Sequence, residues 1–364
     1  MKQRPYSRRE SMQPAQKPES GVLFVGIDLG TSHSAIAASN GVRTTLGSYV
    51  AYPRDVISRK ALGKDKLFGD EAVKHKHACD FYRPMEKGQV LYRDLDKQVN
   101  RDPVKTTQAV HDLLEHVVSL AKPRPDDLIY GVIGAPAQAS LHAQKLLLEA
   151  ARGVVDCVMI CSEPFAVAYG LQFLTDTLVI DIGAGTTDLC RMHGALPSAE
   201  DQITLSAAGD AVDRKLFELM QECCPGAAFT PNMVKQIKEK NSFVTQRAAE
   251  RVNVTLPVRG VPTQFDITDA MKQATESIVP EIVEGLHGLI AGYDPEFQAG
   301  MRENVLLAGG GSQIIGLDKA IERKLAELGG GKVRRVEEPT FAGANGALHL
   351  AQDMPAEFWN QLEG

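Results

Sequence analysis

The sequence predicts an α/β protein made of two related halves, each a mostly parallel sheet covered by helices. Three observations predict it. Short strand-like apolar runs alternate with stretches of helical apolar spacing. Three clusters of small residues stand in order, each at the end of such a run: Gly26-Ile27-Asp28-Leu29-Gly30-Thr31-Ser32, Asp181-Ile182-Gly183-Ala184-Gly185-Thr186-Thr187-Asp188 and Ala308-Gly309-Gly310-Gly311-Ser312. The second half then repeats the plan of the first.

Residues 1–20 carry Arg4, Arg8, Arg9 and three prolines with almost nothing apolar, so they read as a disordered tail. Val22 to Ile27 reads as the first strand. The first large subdomain is placed at 21–49, 100–160 and 336–364. Residues 50–99, rich in Lys, Arg, Asp and Gly, read as a small inserted subdomain. His111 to Leu120 has helical spacing, Leu128 to Ile133 reads as a strand and Leu141 to Ala151 as a helix. The second large subdomain is placed at 161–210 and 276–335. It has strands at Thr177 to Ile180, near Gln202 to Ser206 and at Asn304 to Leu307, and a helix from Asp210 to Met220. Its insertion, 211–275, holds the alternating run Arg251 to Leu256 and a turn at Arg259-Gly260. Thr268 or Asp269 is expected to cap the helix that returns to the large subdomain.

With 364 residues, 43% hydrophobic and 24% charged, the chain can bury two cores. A net charge of −6 leaves no electrostatic footprint for nucleic acid. No stretch has the roughly 18 uninterrupted apolar residues of a membrane span, and the first twenty lack the apolar run of a signal peptide, so a cytoplasmic location without membrane insertion is expected. The six cysteines form no C-x-x-C pair and read as reduced thiols, with Cys223-Cys224 at a helix end. His75 and His77 have no companion ligands and read as solvated.

A turn at a strand end offers backbone amides to phosphate oxygens, and glycine lets the main chain approach closely. Asp28 and Asp181 open the first two turns, and aspartate is the residue type that holds magnesium through water. Gly183-Ala184-Gly185 alone is a weak signal. The dinucleotide fingerprint fails because Asp188 takes its third glycine position, and no Walker A sequence exists. The ordered set of three is far more specific, and reads as a split nucleotide site.

Together these residues resemble the actin/Hsp70/sugar-kinase superfamily, over about residues 21–360. The resemblance implies that ATPase fold: two related α/β domains, each with an inserted subdomain, hinged over ATP or ADP with Mg²⁺. Cys161-Ser162-Glu163-Pro164-Phe165-Ala166-Val167-Ala168-Tyr169-Gly170 is similar to the entry into the first interdomain helix of bacterial actins, which implies that Glu163 positions the attacking water. Gly343-Ala344-Asn345-Gly346-Ala347-Leu348 resembles the second interdomain helix. Ile237-Lys238-Glu239-Lys240 resembles a stretch whose Lys and Glu reach the adenosine.

The implied roles are these. Asp28 and Asp181 hold hydrated Mg²⁺. Gly30, Thr31 and Ser32, with His33 beside them, and Gly183, Ala184, Gly185, Thr186 and Thr187 hold the phosphates. Lys238 and Glu239, with Gly310 and Gly311 of the cluster that also contains Gly309 and Ser312, hold ribose and adenine. The motif combination is most similar to the filament-forming actins of magnetosome chains. That implies a head-to-tail homopolymer as partner, a cytoskeletal role and magnetosome-associated adaptor proteins. An Hsp70-type chaperone would carry a substrate domain after the ATPase. A sugar or acetate kinase would need its own acid or base for a second substrate, and nothing between Glu163 and Asp210 clearly offers one.

Overall fold

The computed structural model describes residues 21–86, 89–90, 93–94, 99–100, 103–244 and 251–362. The tail expected at 1–20 lies outside them. The run that begins at Val22 continues as a strand to Leu29 and forms the centre of a five-stranded sheet. Cys157–Ser162 and Leu128–Ala135 lie parallel to it on one side, while His33–Ala38 and Arg43–Gly47 form an antiparallel meander on the other. The second five-stranded sheet repeats this plan. Thr177–Ile182 is central, Val305–Ala308 and Val333–Arg335 run parallel to it, and Thr187–Met192 and Gln202–Leu205 complete the meander. Thr177–Ile182 and Thr187–Met192 are buried along their whole length, as expected for strands covered on both faces.

The outermost parallel strand of each sheet leads to a helix that lies between the two sheets. Cys157–Ser162 runs directly into Glu163–Leu171, and Val333–Arg335 precedes Ala342–Asp353. These helices pack on each other and on the central strands, where Phe165, Ala166, Val179, Leu306, Ala347 and Ala351 share one buried cluster. Small residues allow the approach. A Cβ on Gly170 would stand 2.6 Å from the Gly346 Cα, and one on Gly346 would overlap the Ala166 carbonyl.

Between the third and fourth strands of the first sheet, Val50–Pro53 pairs with Leu67–Phe68 and Cys79–Tyr82 in a small separate sheet. The second insertion holds the helices Gly209–Cys223, Pro231–Asn241 and Thr268–Glu276 and the hairpin Asn253–Val258 with Val261–Asp266. Its turn is Arg259-Gly260, with φ of 50° and 83°, the positive pair that two-residue hairpin loops favour. The capping expectation is corrected. Thr268 is already helical, and Asp266 accepts from both its N–H (3.0 Å) and its hydroxyl (2.5 Å). The helix expected from His111 starts earlier, at Pro103, a residue well suited to a first turn. Among the described residues no helix is long and apolar enough to cross a membrane.

Candidate functional site

The three glycine clusters meet in a cleft of about 420 Å³ between the sheets. The first two are the tips of equivalent hairpins: Gly30-Thr31-Ser32 joins the strand ending at Leu29 to that starting at His33, and Gly183 to Thr186 joins Ile182 to Thr187. Their carbonyl oxygens are tied from behind. Gly30 O accepts from the Ser48 hydroxyl (2.6 Å), Thr31 O from Arg83 Nε (2.9 Å) and Ser32 O from the Ser48 N–H (2.9 Å). Gly183 O and Ala184 O accept from the amides of Gly209 (3.1 Å) and Asp210 (2.7 Å). A turn whose carbonyls are committed away from the cleft can turn its N–H groups toward an anion.

Asp28, Glu163 and Asp181 line the cleft between these turns, and Asp188 is buried beside them. Burial, then mutual repulsion, pushes the pKa of Glu163 and of Asp181 well above the usual carboxylate range, and burial alone lifts Asp28 to about 6. Glu163 is the first residue of its helix, where the dipole favours a negative charge. Desolvation and the charges of Asp28, Asp188 and Asp181 outweigh that benefit. Asp188 accepts from the Thr204 hydroxyl (2.5 Å) and the Ala137 N–H (2.8 Å), and its second oxygen is buried without a partner.

Such a cluster of oxygen donors suits a hard divalent cation. Among the described residues no three carboxylate, His or Cys side chains converge as a direct metal cage. Asp28 and Asp181 are the carboxylates that could hold a hydrated divalent cation here, which would supply positive charge to the cleft.

Lys238 binds Asp213 (2.9 Å) and the Gly209 carbonyl (3.2 Å) at the base of the second turn, and Glu239 lies 3.9 Å from Lys235. Gly309 has φ of 74°, and a Cβ there would overlap the Asp181 carboxylate and the Ile182 backbone, so glycine alone lets the chain fold back over Asp181. Gly310 and Gly311 follow in a tight turn on the cleft wall.

Of the residues singled out from the sequence, Asp28, Gly30, Thr31, Ser32, His33, Glu163, Asp181, Gly183, Ala184, Gly185, Thr186, Lys238, Glu239, Gly309, Gly310 and Gly311 line the cleft. Thr187 and Ser312 do not. Thr187 is buried and donates to the Ala207 carbonyl (2.6 Å), and the Ser312 hydroxyl bonds back to Gly309 O (2.7 Å), so both brace the turns from behind.

Sequence reasoning missed Lys235, one helical turn before Lys238. Its ammonium group crosses the cleft to the Ser32 hydroxyl and to Tyr49 Oη (2.9 Å). It also missed Asp213, and it gave Asp188 no role although Asp188 closes the second cluster. The i, i+3 spacing of Lys235 and Lys238 was the available signal for the first.

The MreB/Mbl protein family model matches residues 22–357. The chain is 41% identical over 340 residues to the actin-like protein MamK of Paramagnetospirillum magneticum (strain AMB-1), covering 93% of this chain and 95% of that one. It resembles a solved MamK double helical filament with a TM-score of 0.86 and 39% identity, covering 92% of this chain and 100% of the other. A non-polymerising MamK mutant bound to AMPPNP matches at the same identity and coverage with a TM-score of 0.69. Extending over nearly its whole length, these matches make the chain a member of the MreB/Mbl family of bacterial actin-like proteins.

Proposed function

We propose that this protein binds ATP with Mg²⁺ in the cleft, polymerises head to tail into cytoplasmic filaments, and hydrolyses the nucleotide to drive filament turnover. The observation that carries this reading is the pair of matched hairpin turns facing each other across the clustered carboxylates Asp28, Glu163 and Asp181. A nucleoside triphosphate with its metal would bring positive charge to these carboxylates and would fill both turns at once. In this reading Asp28 and Asp181 hold the hydrated ion, which would neutralise phosphate charge. Glu163, at the hinge-side helix start, orients the attacking water, while the amides of residues 30–32 and 184–186 hold the phosphate oxygens, beside Gly183, whose own N–H closes the hairpin on the Thr186 carbonyl (2.9 Å). Lys238, Glu239, Gly310 and Gly311 hold the nucleoside.

Self-assembly is supported by the relatives. Two solved MamK filaments match this chain at 39% and 40% identity. A head-to-tail contact that does not close on itself yields an open polymer. We further propose a cytoplasmic, cytoskeletal location and a role beside magnetosome membranes, with adaptor proteins as the link. We also propose the subdomain division read from the sequence: two large bodies at 21–49, 100–160 and 336–364, and at 161–210 and 276–335, with insertions at 50–99 and 211–275.

Pelleting assays with Mg-ATP, with ATP and a chelator, and without nucleotide test the function, run beside a coupled sugar-phosphorylation assay. Mg-ATP-dependent pelleting with phosphate release and no sugar phosphate is the expected result. Sugar-dependent ADP formation without polymer would make the protein a kinase.

A further inference from the structure

Arg83 lies between the inserted strand Cys79–Tyr82 and residue 85, outside every cluster that the sequence marks. Its guanidinium group makes two bonds that point to different halves of the molecule. Nε donates to the Thr31 carbonyl of the first turn (2.9 Å), and Nη2 donates to Asp210 Oδ2 (2.6 Å), a residue 127 positions away at the start of the helix Gly209–Cys223. Asp210 in turn donates its own N–H to the Ala184 carbonyl of the second turn (2.7 Å). One side chain thus connects both hairpin tips: Thr31 O to Arg83, Arg83 to Asp210, Asp210 N–H to Ala184 O.

We propose that Arg83 is a positioning residue that clamps the two phosphate-binding turns at their closed separation, so that the Arg83–Asp210 pair couples nucleotide binding to the assembly-competent form. This rests on the nucleotide reading of the cleft given above. The pair is 26% and 17% exposed on its two sides, so it is partly withdrawn from water and is screened less than a surface ion pair. The planar fork of arginine holds its two acceptors in fixed directions, whereas the rotatable ammonium group of a lysine fixes neither direction. When the halves separate, the pair must open, and its two charges must be rehydrated. Closure and nucleotide binding therefore favour each other through a defined contact.

The test measures binding of a fluorescent, non-hydrolysable ATP analogue with Mg²⁺ to monomer, the critical concentration for assembly, and nucleotide-free melting temperature. The variants are Arg83→Ala, Asp210→Ala, their double, and the conservative Arg83→Lys and Asp210→Asn. Each single alanine variant should bind nucleotide about tenfold more weakly and raise the critical concentration, the scale of losing one partner of a partly buried charge pair. The double variant should be no more than about twofold worse than the weaker single, because the pair acts as one unit. Arg83→Lys should fail to restore binding while melting near the parent temperature, which separates a clamp from a residue needed only for folding.

If the alanine variants do not fold, Arg83→Lys and Asp210→Asn decide the matter on the same readouts. Binding and assembly within twofold of the parent, or losses that multiply in the double variant, would overturn the clamp alone. A parent protein that binds no nucleotide would overturn the cleft reading and the clamp with it.

Discussion

At the residue scale the molecule turns on four carboxylates, Asp28, Glu163, Asp181 and Asp188, that the fold brings together. Burial lifts Asp28 to about 6. A group whose folded-state pKa is raised favours the folded state most when protonated, and that contribution is lost as pH rises from the unfolded value near 3.8 through about 6. Asp28→Asn has no charge to lose. Without nucleotide it should therefore melt above the parent at about pH 7.5, with the gap narrowing at about pH 5.

His33 and His116 have pKa values lowered by burial and titrate in the same window with the opposite sign, so the comparison is the variant-minus-parent difference, in which they cancel. A gap that is equal at both pH values in thermal melts would contradict the account. Glu163→Ala should slow ATP hydrolysis by about 10², the scale of a lost positioned base, while leaving nucleotide binding and assembly in place. Phosphate release at the parent rate would make Glu163 structural.

The individual site residues were legible where chemistry and local pattern coincide, as at Asp28, Asp181 and the glycines at strand ends. Arg83 and Lys235 were not. Their roles come from contacts across the cleft, with Lys235 meeting Ser32 over 203 positions of sequence, and no local period encodes such a meeting. Thr187 and Ser312 show the reverse error. They carry the right chemistry in the right cluster, but the alternation of a strand and the tightness of a turn point their hydroxyls into backbone rather than into the cleft.

At the scale of elements, the position of the cleft depends on two short helices that cross at glycine. Ala342–Asp353 is wedged between the strand Val22–Leu29 and the helix Glu163–Leu171, and a Cβ at Gly26 would overlap the backbone of Ala344 and Leu348. Gly346→Val inserts three carbons where the Ala166 carbonyl already sits. It should destabilise the fold by about 3 kcal/mol, read as a lower denaturant midpoint at unchanged slope. A loss below about 1 kcal/mol would mean that the helices can separate without cost.

The sequence carried most elements clearly. The helix Leu141–Ala151 and the hairpin around Arg259-Gly260 fall where the apolar period and the turn residues put them. The helix starting at Thr268 has Ile267 at its N-cap position, and Asp266, just before it, accepts from the Thr268 N–H and hydroxyl. Asp, Thr and Asp stand within four residues there, and only the backbone direction decides which oxygen faces the free amides.

At the scale of the whole molecule, two sheets of the same plan place equivalent hairpin tips face to face, and the two interdomain helices join them on one side. A ligand that touches both tips reports on the separation of the halves, and a subunit whose surfaces depend on that separation can couple occupancy to polymerisation. The central claim is that the nucleotide sits between these tips within a filament subunit. Electron cryomicroscopy of filaments grown with Mg²⁺ and a non-hydrolysable ATP analogue tests it directly. Phosphate density between residues 30–32 and 183–186, beside Asp28 and Asp181, with the base against Lys238, Glu239 and Gly310, is the predicted result. Filaments with an empty cleft, or with the nucleotide bound elsewhere, would contradict the account.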